Sequence, residues 1–224
     1  MTAAGVGLAA EEGAQPAIGP AGESQHAASP VETTWVVRTG QRMQAPMAAT
    51  YRLIEYSQQR GRWIVPDVGY YDIGHTRSEI WFAGAGFEMR PNRHIDWTQI
   101  FYIAQTAGRE AHNERMFWIW PVVDVAFNPR WSAEAVVYPT IPLNRSQRWG
   151  LDVDRVKLEY RMKPHMRAGL GLKAATGGGM GWERDPFLTM TCLRDKRNVE
   201  FWVQRIPDGA AVQVRYQIVR KGIF

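Results

Sequence analysis

The chain has 224 residues, 45% of them hydrophobic and 12% aromatic, with 27 Lys and Arg against 22 Asp and Glu for a formal charge of +5. The longest apolar run, Met116 to Val123, contains Pro121 and stops at Asp124, so no segment approaches the roughly 20 apolar residues of a membrane-spanning helix. The single cysteine, Cys192, excludes an internal disulfide and any zinc or redox site built on paired thiols.

In chain order, residues 1–32 are Ala, Gly, Pro, Glu and Gln without an aromatic side chain, the composition of a disordered leader. Met1 to Ala10 carries no Lys or Arg, so it lacks the basic start of a secretory signal. Either the protein is not exported or its signal lies upstream of Met1.

From Thr33 onward the apolar residues recur with period two, the mark of strands. Breakers between the runs delimit candidate strands at 33–38, 49–57, 62–73, 77–90, 95–107, 114–127, 130–141, 150–163, 165–175, 186–194, 197–206 and 209–219. That makes twelve, or ten without the first two. The clearest is Val153–Met162, where Val156, Leu158, Tyr160 and Met162 share one face and Arg155, Lys157, Glu159 and Arg161 the other. Val199, Phe201 and Val203 alternate with Glu200, Trp202 and Gln204, and Val212, Val214, Tyr216 and Ile218 with Gln213, Arg215 and Gln217. No amphipathic helix longer than three turns is visible, with room for a short helical turn only at 40–48 and 105–115. The fold class is all-β.

The connections carry a second regularity. Tight turns at Arg90–Arg93, Asn128–Arg130, Lys163–His165 and Asp195–Arg197 alternate with longer links at Gly74–Arg77, Gly108–Arg115, Leu143–Trp149 and Gly177–Pro186. In an antiparallel up-and-down barrel every second connection lies at the same rim, and transmembrane barrels have short turns at one end and longer loops at the other. Several runs also reach the 9–11 residues that a tilted membrane strand requires. The expectation is a transmembrane β-barrel of 10–12 strands over residues 33–224. The alternative is a soluble β-sandwich or small barrel, because alternation alone does not say which face is turned inward.

The Ser78–Glu88 strand, the alternating strands just named and the terminal Phe224 together resemble bacterial outer-membrane β-barrel proteins as a class. Tyr216, Ile218 and Phe224 share one parity, which looks like the signal read by the barrel-assembly machinery, although Arg220-Lys221-Gly222 is more basic than that pattern. The resemblance implies an outer-membrane location, lipid as surroundings, the assembly machinery as partner and a non-enzymatic role as a small channel or a structural surface protein.

For such a barrel, Asp124, Glu134, Arg155, Lys157, Glu159, Arg161, Arg167, Lys173, Glu200 and Arg215 point into the lumen. There they either pair as a structural plug or line a thin pore whose basic excess favours anions for passing solutes. Trp63, Tyr70, Tyr71, Trp97, Trp131, Trp149 and Trp182 fall near strand ends, where aromatic girdles meet headgroups; in a soluble domain they would suggest a carbohydrate-binding module. An acyl hydrolase would have to use His75 with Ser78, or His112 with Glu110 and Glu114, neither at a recognised spacing. The glycine-rich Gly177–Gly181 precedes no Lys-Ser/Thr and reads as a loop rather than a phosphate cradle. No metal or other cofactor is expected. Basic residues alternate with acids instead of forming a stripe, so no nucleic-acid partner is expected either.

Overall fold

The computed structural model describes residues 31–42, 49–73, 78–108, 113–145, 149–177, 183–194, 197–206 and 209–222. These form twelve strands: β1 Val31–Arg42, β2 Ala49–Arg60, β3 Trp63–Ile73, β4 Ser78–Asn92, β5 Ile95–Gly108, β6 Arg115–Ala126, β7 Trp131–Pro142, β8 Gly150–Lys163, β9 Met166–Gly177, β10 Glu183–Arg194, β11 Arg197–Ile206 and β12 Gly209–Gly222. Each pairs antiparallel with its sequence neighbours, and β1 pairs with β12 to close the barrel. The all-β expectation holds at its upper strand number. No helix occurs among the described residues, and residues 105–108 continue β5 where a helical turn had room to form. The first strand opens at Val31, two residues inside the stretch read as leader.

Closure sorts the side chains by parity. Ile103, Leu170 and Leu188 are 64%, 62% and 65% exposed on the outer face, while Arg155, Lys157, Glu159 and Glu200 are buried inside. A soluble sandwich or barrel would turn its apolar parity inward. Here the charged parity is inside, the arrangement of a transmembrane barrel. The shortest strand has 10 residues and the longest 15, enough to cross a bilayer at a tilt.

The rims differ as the turn pattern requires. Residues 61–62, 93–94, 127–130 and 164–165 make tight links at one end, with Gly61 at a φ of 57° in the first of them, a conformation that costs glycine nothing. In the link after β6, Asn128 accepts backbone N–H bonds from Arg130 and Trp131, both at 2.9 Å. At the other rim the strand ends lie farther apart in sequence, as between Gly108 and Arg115 and between Pro142 and Gly150.

The interior is two-sided. From β3 to β7 it is mainly apolar: Ile64, Phe82, Ile100, Tyr102, Met116 and Trp118 form a buried cluster, against which Tyr71, Trp120 and Tyr138 pack. Tyr102 and Trp118 both meet Phe82 edge-on or tilted, at 5.0 and 5.8 Å between ring centres. The facing wall, from β8 through β12 to β1, is charged. Small residues keep the lumen from being overfilled: a Cβ at Gly171 would lie 2.3 Å from the Phe187 ring, and one at Gly69 2.1 Å from the Phe82 ring.

Candidate functional site: a charged lumen

The charged wall is organised by β8. Its regular alternation sends Arg155, Lys157 and Glu159 inward, and a register shift between Val153 and Val156 turns Asp154 inward as well. A bulge of this kind adds one residue to a strand and re-aims its side chain. Asp154 then accepts from Arg38 of β1 at 2.8 Å, a bond that crosses the lumen, and from its neighbour Arg155 at 2.5 Å. Arg155 also pairs with Glu134 of β7. Lys157 Nζ lies 2.9 Å from Glu134, 3.5 Å from Glu159 and 2.5 Å from Glu200 of β11.

Glu200 is saturated in turn. Trp202 Nε1 donates to it at 2.7 Å and Thr189 Oγ1 at 3.3 Å, while Arg215 of β12 stands 3.7 Å away. Arg215 lies opposite Arg38 in the β1–β12 ladder, so the pairs form a ring back to the residue where they began. Lys173 joins at 3.8 Å from Asp154. Five cations (Arg38, Arg155, Lys157, Lys173 and Arg215) thus meet four carboxylates (Glu134, Asp154, Glu159 and Glu200), a surplus of one positive charge among these pairs, with Glu55 lining the cavity near Arg38, Arg155 and Arg215 as a further acid. Charges this far from bulk water persist because each has an opposite partner within contact distance. Trp202 backs the ring, stacked on Phe187 with 4.3 Å between centres and with the Arg38 guanidinium 5.4 Å over its own face.

Beside the ring, a cavity of about 500 Å³ runs toward the tight-turn rim, reaching Arg93, His94 and Asn198. Of the residues singled out from the sequence, Asp124, Glu134, Arg155, Lys157, Glu159, Arg167, Glu200 and Arg215 line it. Lys173 sits above, on the far side of Asp154, and Arg161 is exposed near the rim, outside the lining. Asp124 is open to the cavity in a row with Asp96 and Glu134, its cross-strand neighbours.

Sequence reasoning missed Arg38, Asp154 and Asp67. Asp67, 1% exposed, contacts Tyr102 and Glu55 across β2, β3 and β5. Both aspartates sit on the apolar parity of their strands and are redirected by register shifts, at Val153/Val156 and Ile64/Asp67. The signal was a lone carboxylate on an apolar face.

Among the expected girdle residues, Trp63, Trp97, Trp131 and Trp149 are exposed. Tyr71 is not one of them: it packs against the inner cluster while its neighbour Tyr70 faces outward beside Trp81, because successive strand residues point to opposite faces. Tyr216 and Ile218 pair with Val37 and Trp35 on the outer face. Phe224, Trp182, His75, Glu110 and His112 lie outside the described residues.

A closed antiparallel barrel with this parity is the architecture of solved outer-membrane channels. The fold is porin-like. The KdgM porin in complex with disordered oligogalacturonate superposes with a TM-score of 0.57 at 9% identity, covering 83% of this chain and 98% of that one. A COG4313 outer membrane channel from Pseudomonas putida F1 does so with a TM-score of 0.55 at 8% identity, covering 91% and 100%. These neighbours are channels and not enzymes. No protein-family model and no curated protein matches the sequence.

Proposed function

We propose that this chain is a bacterial outer-membrane channel for small hydrophilic solutes, surrounded by lipid and inserted by the barrel-assembly machinery, with its conductance limited by the ion-pair ring at mid-lumen. The observation that carries the reading is the closed barrel with apolar side chains outside and a charged, cavity-bearing lumen inside. Such a barrel has no use for interior charge in water, where its exposed Leu, Ile and Trp would drive aggregation. The Arg38–Asp154 bond crosses the lumen and the Lys157–Glu200 bond spans β8 to β11, so the expected conductance of the resting barrel is small. Among the directly paired groups of the ring the cations outnumber the carboxylates by one, which favours anions at that level of the lumen.

The test is single-channel recording in planar bilayers with detergent-purified protein, together with its solubility when detergent is removed. Small, anion-preferring conductance steps support the reading. Protein that stays monodisperse without detergent and gives no conductance overturns it.

A further inference from the structure

The barrel wall is not uniformly sealed. Along the seam between β6 and β7 the ladder runs from Met116↔Pro142 to Trp118↔Thr140 and resumes at Val122↔Val136 in the same register, with no pairing between 119–121 and 137–139. Pro121 and Pro139 both lie in that gap.

The alternation of an antiparallel ladder says where their missing N–H groups would have pointed. Leu143 donates to the Arg115 carbonyl at 2.8 Å and Phe127 to the Trp131 carbonyl at 3.1 Å. Both contacts place odd-numbered residues of β6 and β7 at the hydrogen-bonded sites of this seam. The bond from Ala126 to the His94 carbonyl assigns even-numbered residues of β6 to β5, and the bond from Arg161 to the Arg130 carbonyl assigns even-numbered residues of β7 to β8. Pro121 and Pro139 are therefore both aimed at the β6–β7 seam, in consecutive hydrogen-bonded pairs with Val137 and Ile119. Two ladder bonds are chemically impossible there, and the carbonyls of Ile119 and Val137 receive no donor from opposite.

The other strand prolines do not open a seam in this way. Pro66 and Pro91 sit in register shifts, Pro142 ends its strand and Pro186 lies beyond the first row paired with β11.

Apolar surroundings make unpaired backbone groups costly, so two adjacent missing bonds at mid-wall mark a weak point in the barrel. Inside the seam, two ring contacts on Tyr138 of β7 close it: Trp120 of β6 stacks on Tyr138 with 4.1 Å between centres and 26° between planes, and Trp118 meets it edge-on at 5.9 Å. Trp120 and Val122 also line the luminal cavity. Outside the seam are Ile119, Pro121, Val137 and Pro139, facing lipid.

We propose that the β6–β7 seam is a lateral portal through which a single-chain amphiphile passes between the lumen and the bilayer, its polar head held by the cavity's charges and its chain threading between the strands past the Trp120–Tyr138 stack. The proposal rests on the membrane-channel reading and adds a second route to it.

The test uses full-length protein carrying Val122→Cys and Cys192→Ala, reconstituted in phospholipid vesicles. Two reagents compete for the luminal thiol: N-dodecylmaleimide dissolved in the bilayer, and a membrane-impermeant sulfonated maleimide in the water. The expected result is labelling by both, with Pro121→Val and Pro139→Val together slowing the dodecyl reagent at least tenfold and leaving the sulfonated one unchanged. As a second variant that needs no new backbone bond, Tyr138→Ala should accelerate dodecyl labelling. Dodecyl labelling that is absent, or unaltered by these substitutions, overturns the portal. Failure of the sulfonated reagent to reach the thiol counts instead against the aqueous lumen, so the two readings fail separately.

Discussion

Lys157 of β8 reaches Glu200 of β11 with 2.5 Å between Nζ and Oε1, spanning two intervening strands from inside the barrel. Glu134 and Glu159 also lie within 4 Å of the same ammonium, so one cation contacts three carboxylates. Replacement by an apolar residue of similar length leaves those carboxylates to repel one another where water is scarce. Breaking a buried pair from one side costs about 3–5 kcal/mol. Lys157→Met is expected to destabilise the barrel by that order in urea titrations in vesicles, and Lys157→Met with Glu200→Leu to recover part of the loss. Recovery identifies the uncompensated charge, and not lost packing, as the cause.

Asp154 controls the sign of the lumen. It contacts Arg38, Arg155 and Lys173, the largest group of cations around any carboxylate of the ring. Asp154→Asn keeps the volume and removes the charge, raising the local surplus from one positive charge to two and freeing Arg38 from its bond across the lumen. Reversal potentials in a salt gradient should move toward anion selectivity, with larger conductance steps. Unchanged selectivity would place the conduction path away from the ring.

How much was readable from sequence follows from how each strand is covered. Where one face meets lipid and the other meets charge, as in Val156 and Leu158 against Arg155 and Lys157, parity separated the two faces, and strand length with the alternation of short and long links said which was inside. Turn formers such as Asn128-Pro129 and Pro164 placed strand ends within a residue or two. On β6 both faces are apolar, Phe117 and Ile119 outside and Trp118 and Trp120 inside, so periodicity could not reveal that half of the lumen is an aromatic wall. Asp154 and Asp67 escaped for a different reason: a register shift belongs to a pair of strands, and parity read along one strand carries through it unbroken.

Gly171 is a packing requirement of the lumen. A Cβ there would meet the Phe187 ring at 2.3 Å and the Val156 carbonyl oxygen at 2.8 Å, and Phe187 in turn stacks on Trp202, the donor to Glu200. Gly171→Val must push Phe187 off that stack, with overpacking costing about 1–3 kcal/mol. The expected outcome is lost near-ultraviolet circular dichroism from the Trp202 environment while the β signal in the far ultraviolet persists.

Leu188 and Thr189 are adjacent on β10 and face opposite media: the leucine is 65% exposed on the outer surface and the threonine is buried beside Glu200. In water, an arginine at so exposed a position would be neutral or would improve solubility. In a bilayer a charge near the midplane of the lipid face costs about 2–4 kcal/mol. Leu188→Arg is therefore expected to reduce the folded fraction in vesicles by that order, measured by the shift in electrophoretic migration between unheated and boiled samples. The cost should shrink in bilayers of shorter-chain lipid, where the arginine reaches the headgroups more easily. A fully folded Leu188→Arg protein in thick bilayers would contradict a membrane-facing β10. Thr189→Val separates this effect from general sensitivity of the strand: it removes one 3.3 Å bond to a carboxylate that keeps Lys157 and Trp202 as partners, and should cost only about 1 kcal/mol, whatever the lipid.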